Sequence, residues 1–148
     1  MKSGLVEIEQ KALNARNAGR LEEAAKLYET IVTERPDYEH GTAMYCLACC
    51  YEDLKNIASA EECFRKALQY EPENPIFLGG LASFLYIHGD PAESFQTHLV
   101  LLRTLRGAGL QARAKSTETA LKALAERIGM SDGAVADHID LMIGNGGS

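Results

Sequence analysis

The chain has 148 residues, 46% of them hydrophobic and 24% charged, with a formal net charge of −6. That is enough apolar material for one domain or a short repeat array, and it excludes a disordered chain. The negative balance argues against a general nucleic-acid binder, whose affinity comes from clustered Lys and Arg. The imbalance is local: residues 1–102 carry nine basic and sixteen acidic side chains, residues 103–148 six and five. The N-terminus meets Glu7 before any apolar stretch has formed, so no secretory signal is expected. The uncharged run Gly41 to Tyr51 is shorter than the ~20 residues a membrane span needs. A cytoplasmic protein without membrane insertion is the expectation.

Helix formers dominate and only four prolines occur, which favours helices throughout. In chain order, three segments repeat one pattern: residues 5–38, 41–74 and 75–108. Small residues recur at Ala12, Ala48 and Ala82, followed by Ala15, Tyr51 and Leu85. A turn comes next in each, at Ala18-Gly19-Arg20-Leu21, Leu54-Lys55-Asn56-Ile57 and His88-Gly89-Asp90-Pro91. A second small residue then appears at Ala24, Ala60 and Ser94, and four residues later Tyr28, Phe64 and His98. Pro36 and Pro72 stop the second helix of the first two units. Asp90-Pro91-x-Glu93 supplies an N-cap, a proline at the first helical position and an acid at the third. Units one and two are 36 residues apart rather than 34, so Glu39 and His40 read as an extended inter-repeat turn.

This pattern resembles the tetratricopeptide repeat, most closely in unit two with Met44, Leu47-Ala48, Tyr51, Ala60, Phe64, Ala67 and Pro72. Unit three departs from it, with Ser94 for Ala, His98 for Phe and Arg106 for Pro. The resemblance implies an all-α, right-handed α-solenoid of three helix hairpins. One hairpin cannot bury its own apolar face, so three stacked units form a sufficient array.

Beyond Gly109 the repeat is lost. Residues 110–143 read as a C-terminal helical cap, and 144–148 as a flexible tail. Ser116-Thr117 is expected to cap a helix running to Ile128, with Ala120, Leu121 and Leu124 inward and Gly129 as its stop. Ser131 would cap another, with Val135, Ile139 and Met142 inward. The stretch from Leu124 to Ile139 resembles a helix-turn-helix, which leaves a nucleic-acid-linked regulator as the alternative function. Its would-be recognition helix carries Asp132, Asp137 and Asp140 and no Lys or Arg, a repulsive arrangement toward DNA. The basic residues Arg103, Arg106, Arg113, Lys115, Lys122 and Arg127 could form an anion-binding patch or simply a solvated helix face.

Cys46, Cys49, Cys50 and Cys63 lie within eighteen residues, but Cys46-x-x-Cys49 falls inside an apolar helix with no His beside it. Packing accounts for them better than a metal, and no cofactor is expected. The four histidines form no H-x-x-x-H pair, and neither a phosphate loop nor a G-x-S-x-G turn occurs. The chain therefore reads as a non-enzymatic scaffold whose partner is a protein or peptide, with homo-oligomerisation open.

The resemblance implies a concave groove lined by the first helix of each unit. Carried across, its positions are Glu9, Leu13, Arg16 and Asn17 in unit one and Tyr45, Cys49, Glu52 and Asp53 in unit two. Unit three supplies Gly79, Ser83, Tyr86 and Ile87. The family's carboxylate clamp is absent, because its positions hold Glu9, Leu13, Cys46, Ile76 and Gly80. An acidic rim with tyrosines suggests a ligand with apolar anchors and some basic character. Within the Gly79-Gly80 pair, Gly80 is expected at a close helix contact and Gly79 over an open groove.

Overall fold

The computed structural model describes residues 2–144, and the expected tail at 145–148 lies outside them. The described residues form eight α-helices and no strand: α1 (Lys2–Asn17), α2 (Leu21–Glu34), α3 (Thr42–Asp53), α4 (Ile57–Tyr70), α5 (Pro75–His88), α6 (Pro91–Gly107), α7 (Gln111–Arg127) and α8 (Asp132–Gly144). A 3-10 turn, Tyr38–Gly41, precedes α3. The fold is an all-α array of helix hairpins, and it separates into two compact units between Pro72 and Glu73.

In the first unit, α1 pairs with α2 and α3 with α4, and α2 packs on α3. The recurring small residues make this possible. Ala12, Ala24, Ala48 and Ala60 are fully buried, at positions where helix axes must approach within about 8–10 Å. Tyr28, Ile31, Leu47 and Phe64 fill the space between them. Both prolines act as expected, since α2 ends at Glu34 and α4 at Tyr70. The two extra residues between the repeats form a turn of their own. Glu39 and His40 both take left-handed backbone angles, with φ of 52° and 56°, and buried Tyr38 anchors the turn by donating from its hydroxyl to Glu9 Oε1 at 3.4 Å.

In the second unit, α5 pairs with α6, α6 with α7, and α8 rests on α6 and α7. Phe77, Phe84, Leu85, Phe95, Leu102, Leu105, Leu121 and Leu124 form its core, which Val135 joins from α8. Asn74 and Asp90 cap α5 and α6 by accepting from backbone N–H groups. The polar substitutions of the third repeat are accommodated locally. The Ser94 hydroxyl donates to the Ala82 carbonyl oxygen at 3.0 Å, and His98 Nδ1 donates to the Ser94 carbonyl at 2.8 Å. Burial holds the His98 imidazole below its ordinary pKa.

One expectation fails at α7. Ser116 and Thr117 do not cap it; the helix begins six residues earlier, at Gln111. Both hydroxyls instead donate to carbonyls four residues back, Ala112 and Arg113. The helix starts early because Gly109, at φ 76°, completes a left-handed turn in which Leu110 N–H returns to Leu105 O at 2.9 Å. The same turn, with the same pair of backward hydrogen bonds, follows α1 at Gly19, α3 at Lys55 and α7 at Gly129. The end of α7 and the Ser131 cap of α8 are as expected, with Ala134 N–H donating to Ser131 Oγ at 3.2 Å.

Candidate functional site

On α3, residues about 100° apart around the axis divide into two faces. Met44, Leu47 and Ala48 are buried, whereas Tyr45, Cys49 and Glu52 are half-buried and Asp53 is exposed. The structure gathers the half-buried set with residues of α1. Arg16, itself half-buried, lies within electrostatic reach of Tyr45 and of Cys46, Cys49 and Cys50. Tyr45 is held by its ring, which packs edge-on against Phe64 with centroids 5.7 Å apart. Glu9 is bound by Tyr38, Leu13 is about one-third exposed (37%), and Asn17 is exposed at the end of α1.

The thiols around Arg16 are not poised for chemistry. Burial pushes Cys46 and Cys49 up, and Cys50 and Cys63 up to about 11, despite the pull of Arg16 on the first three in the opposite direction. Neutral thiols are poor nucleophiles and poor metal ligands. All four cysteines are free, and among the described residues no group of three His, Cys, Asp or Glu side chains converges as a metal site.

The opposite side of α3 faces a cleft of about 650 Å³, lined by residues that include Glu29, Val32, Met44, Leu47, Tyr51 and Tyr70. The Tyr51 hydroxyl donates to Glu29 Oε1 inside it. Met44, Leu47 and Tyr51 stand at repeat-pattern positions, and the pattern carried no sign of this opening.

In the second unit the expected groove residues lie along α5. Ser83 and Ile87 are exposed and Gly79 and Tyr86 half-buried. Gly79 does not look onto open space: a Cβ there would sit 3.6 Å from Arg113 Nη2 and 4.0 Å from Leu101 Cδ2. Nor is Tyr86 a free anchor. Arg127 donates from Nη1 to the Tyr86 carbonyl at 3.0 Å, and its guanidinium stands 5.4 Å from the centre of the Tyr86 ring. Two arginines of α7 thus border the α5 face, so the acidic rim expected along the whole groove does not extend to this unit. The spacing of the repeat carried no signal for either arginine, because they come from a helix outside the repeated pattern.

The remaining basic residues are dispersed. Arg106 pairs with Glu118 and Arg103 with Glu73 at 3.8 Å, while Lys115 and Lys122 are exposed. On α8, Asp132, Asp137 and Asp140 are all exposed, which leaves this helix with a face that repels phosphate.

Residues 41–74 match the family model for the tetratricopeptide repeat. No curated protein matches the chain in sequence. Among solved structures, it is similar to the type III secretion translocator chaperone SycD of Yersinia enterocolitica, at 15% identity over 88% of this chain and 89% of that one, with a TM-score of 0.76. SycD in complex with a peptide of the translocator YopD aligns at 15% identity over 84% and 95%, TM-score 0.74. The TPR2B domain of yeast Sti1, in a complex with pHsp70, aligns at 13% identity over 83% and 97%, TM-score 0.73. By sequence the second hairpin matches the tetratricopeptide repeat, and by fold the helix-hairpin array is that of these solved structures.

Proposed function

We propose that the protein is an interaction scaffold that binds a segment of another protein and performs no chemistry on it. The observation that carries this reading is the character of one face of α3, which holds Tyr45, Cys49 and Glu52 part-open beside Arg16 while Met44, Leu47 and Ala48 on the other side are buried. Side chains fixed by packing yet partly accessible lose little entropy on binding, which suits them as contact residues. Peptide complexes of proteins with the same fold, SycD with a YopD peptide and the Sti1 domain with pHsp70, support the assignment by analogy of fold. In the first unit the contact residues are Glu9, Leu13, Arg16, Asn17, Tyr45, Cys49, Glu52 and Asp53. In the second they are Gly79, Ser83, Tyr86 and Ile87. Cytoplasmic placement fits four free thiols, two of them buried.

The test is selection of a random-peptide display library on the immobilised full chain, followed by binding measurements on the selected peptides. Peptides that bind the native chain and lose affinity about tenfold on Tyr45→Ala plus Ile87→Ala are expected. A library that yields no binder, or binders indifferent to both substitutions, overturns the reading.

A further inference from the structure

In the second unit we propose that α5 and two arginines of α7 form a docking face for an acidic protein segment with apolar side chains. The inference rests on the scaffold reading above and assigns a chemical class to the ligand of this unit. Its apolar part is unusual for an outward helix surface. Ile76 and Ile87, near opposite ends of α5, are 55% and 68% exposed, and between them the surface carries the small residues Gly79 and Ser83. At positions 76, 83 and 87 this is one helical stripe, so two exposed isoleucines flank a floor of small residues that Arg113 borders at Gly79.

Two arginines of α7 stand beside that floor. Arg113 lies against Gly79, its Nη2 3.6 Å from where a Cβ would be, and no carboxylate among the described residues pairs with it. Arg127 is held over Tyr86 by one hydrogen bond and the ring, which leaves most of its five N–H donors unused. Gly79 and Tyr86 are about 10 Å apart along α5, so cationic groups stand by the floor two helical turns apart. An unpaired guanidinium is the natural partner of a carboxylate. The apolar stripe excludes a purely ionic ligand as the best fit. Helix α5 has 14 residues and is about 21 Å long, which an extended segment of about seven residues covers.

The experiment uses the full chain and three fluorescein-labelled synthetic peptides of about ten residues, read by fluorescence polarisation. One alternates Leu with Glu and Ser, the second has Lys in place of Glu, and the third has Ser in place of Leu. The Leu–Glu peptide is expected to bind at least about tenfold tighter than the other two. Arg113→Glu is expected to abolish the preference for Glu over Lys, and Ile87→Ser to weaken the Leu–Glu peptide while leaving the Ser–Glu peptide unchanged. Circular dichroism of both variants verifies that they fold. Equal or tighter binding of the Lys peptide, equal binding of the Ser–Glu peptide, or no effect of Arg113→Glu overturns the proposal. So does a self-association, seen by analytical ultracentrifugation, that Arg113→Glu dissolves and the Leu–Glu peptide fails to compete, since the occupant is then a second copy. If the Leu–Glu peptide fails while display-selected peptides still bind and need Tyr45, this inference falls and the scaffold reading stands; if selection also yields nothing, both fall.

Discussion

Replacing Tyr28 by Phe is expected to stabilise the protein, although it deletes a polar group from a helix that carries part of the core. Tyr28 is 1% exposed, and its hydroxyl is buried without a hydrogen-bond partner. Burial raises the pKa of this phenol, with the Cys46 thiol as a weak hydrogen-bonding neighbour and the Arg16 guanidinium within electrostatic reach. A thiol is too weak a hydrogen-bonding group to replace water. A buried, unsatisfied hydroxyl costs about 1–3 kcal/mol, and weak contact with sulfur offsets a fraction of that. The net gain on Tyr28→Phe is therefore about 1 kcal/mol. Phe64, at the equivalent position of the next repeat, shows that a phenyl ring fits this environment, since it too is 1% exposed. Urea unfolding followed by circular dichroism measures the gain directly, and in a thermal melt it corresponds to a rise of a few degrees. A cycle with Cys46→Ala reports any coupling between hydroxyl and thiol, which is expected to stay within about 0.5 kcal/mol. A loss of about 1 kcal/mol or more on Tyr28→Phe, together with strong coupling to Cys46, would refute the argument and show that the thiol satisfies the hydroxyl.

His98 gives the second unit a pH dependence. Its pKa in the folded chain is lowered by burial, so the unfolded state binds the proton more readily. The contribution of the neutral ring is complete above its unfolded pKa near 6.5 and is lost as pH falls below that value, with a slope of at most about 1.4 kcal/mol per pH unit. His98→Phe should flatten this part of the curve, and denaturant titrations at pH 7.5, about 6 and about 5 compare the two. Lys55 occupies a left-handed turn at φ 66°, where Gly19, Gly109 and Gly129 stand in the three equivalent turns. Lys55→Gly should stabilise by about 0.5–1 kcal/mol in equilibrium unfolding; a destabilised variant would mean the turn is held by something other than backbone preference.

The hairpins were legible because the constraint that makes them is steric and repeats. Ala12, Ala48 and Ala82, picked out by recurrence alone, are each completely buried, and the prolines end their helices where they stand. The start of α7 was misread because Ser-Thr before an apolar run is a genuine capping pattern. The stronger determinant was Gly109, whose role matched Gly19 and could have been recognised from it. The candidate site was legible only by halves. Positions on the repeat helices follow from spacing, whereas the neighbours that decide their chemistry do not: Tyr38 reaches Glu9 from the last residue of the first repeat, and Arg127 on Tyr86 and Arg113 on Gly79 come from outside the repeat pattern.

The four equivalent turns at Gly19, Lys55, Gly109 and Gly129 also bear on how the chain reaches this fold. Each closes on carbonyls only three and five residues behind it, so the reversal between two helices is complete before any distant residue arrives. Little loop entropy is spent in bringing the partners of a hairpin together, which is the condition for rapid folding and for several independent starting points along one chain. A nascent chain could therefore begin to organise hairpin by hairpin as it is synthesised, and damage to one turn would slow its own hairpin first.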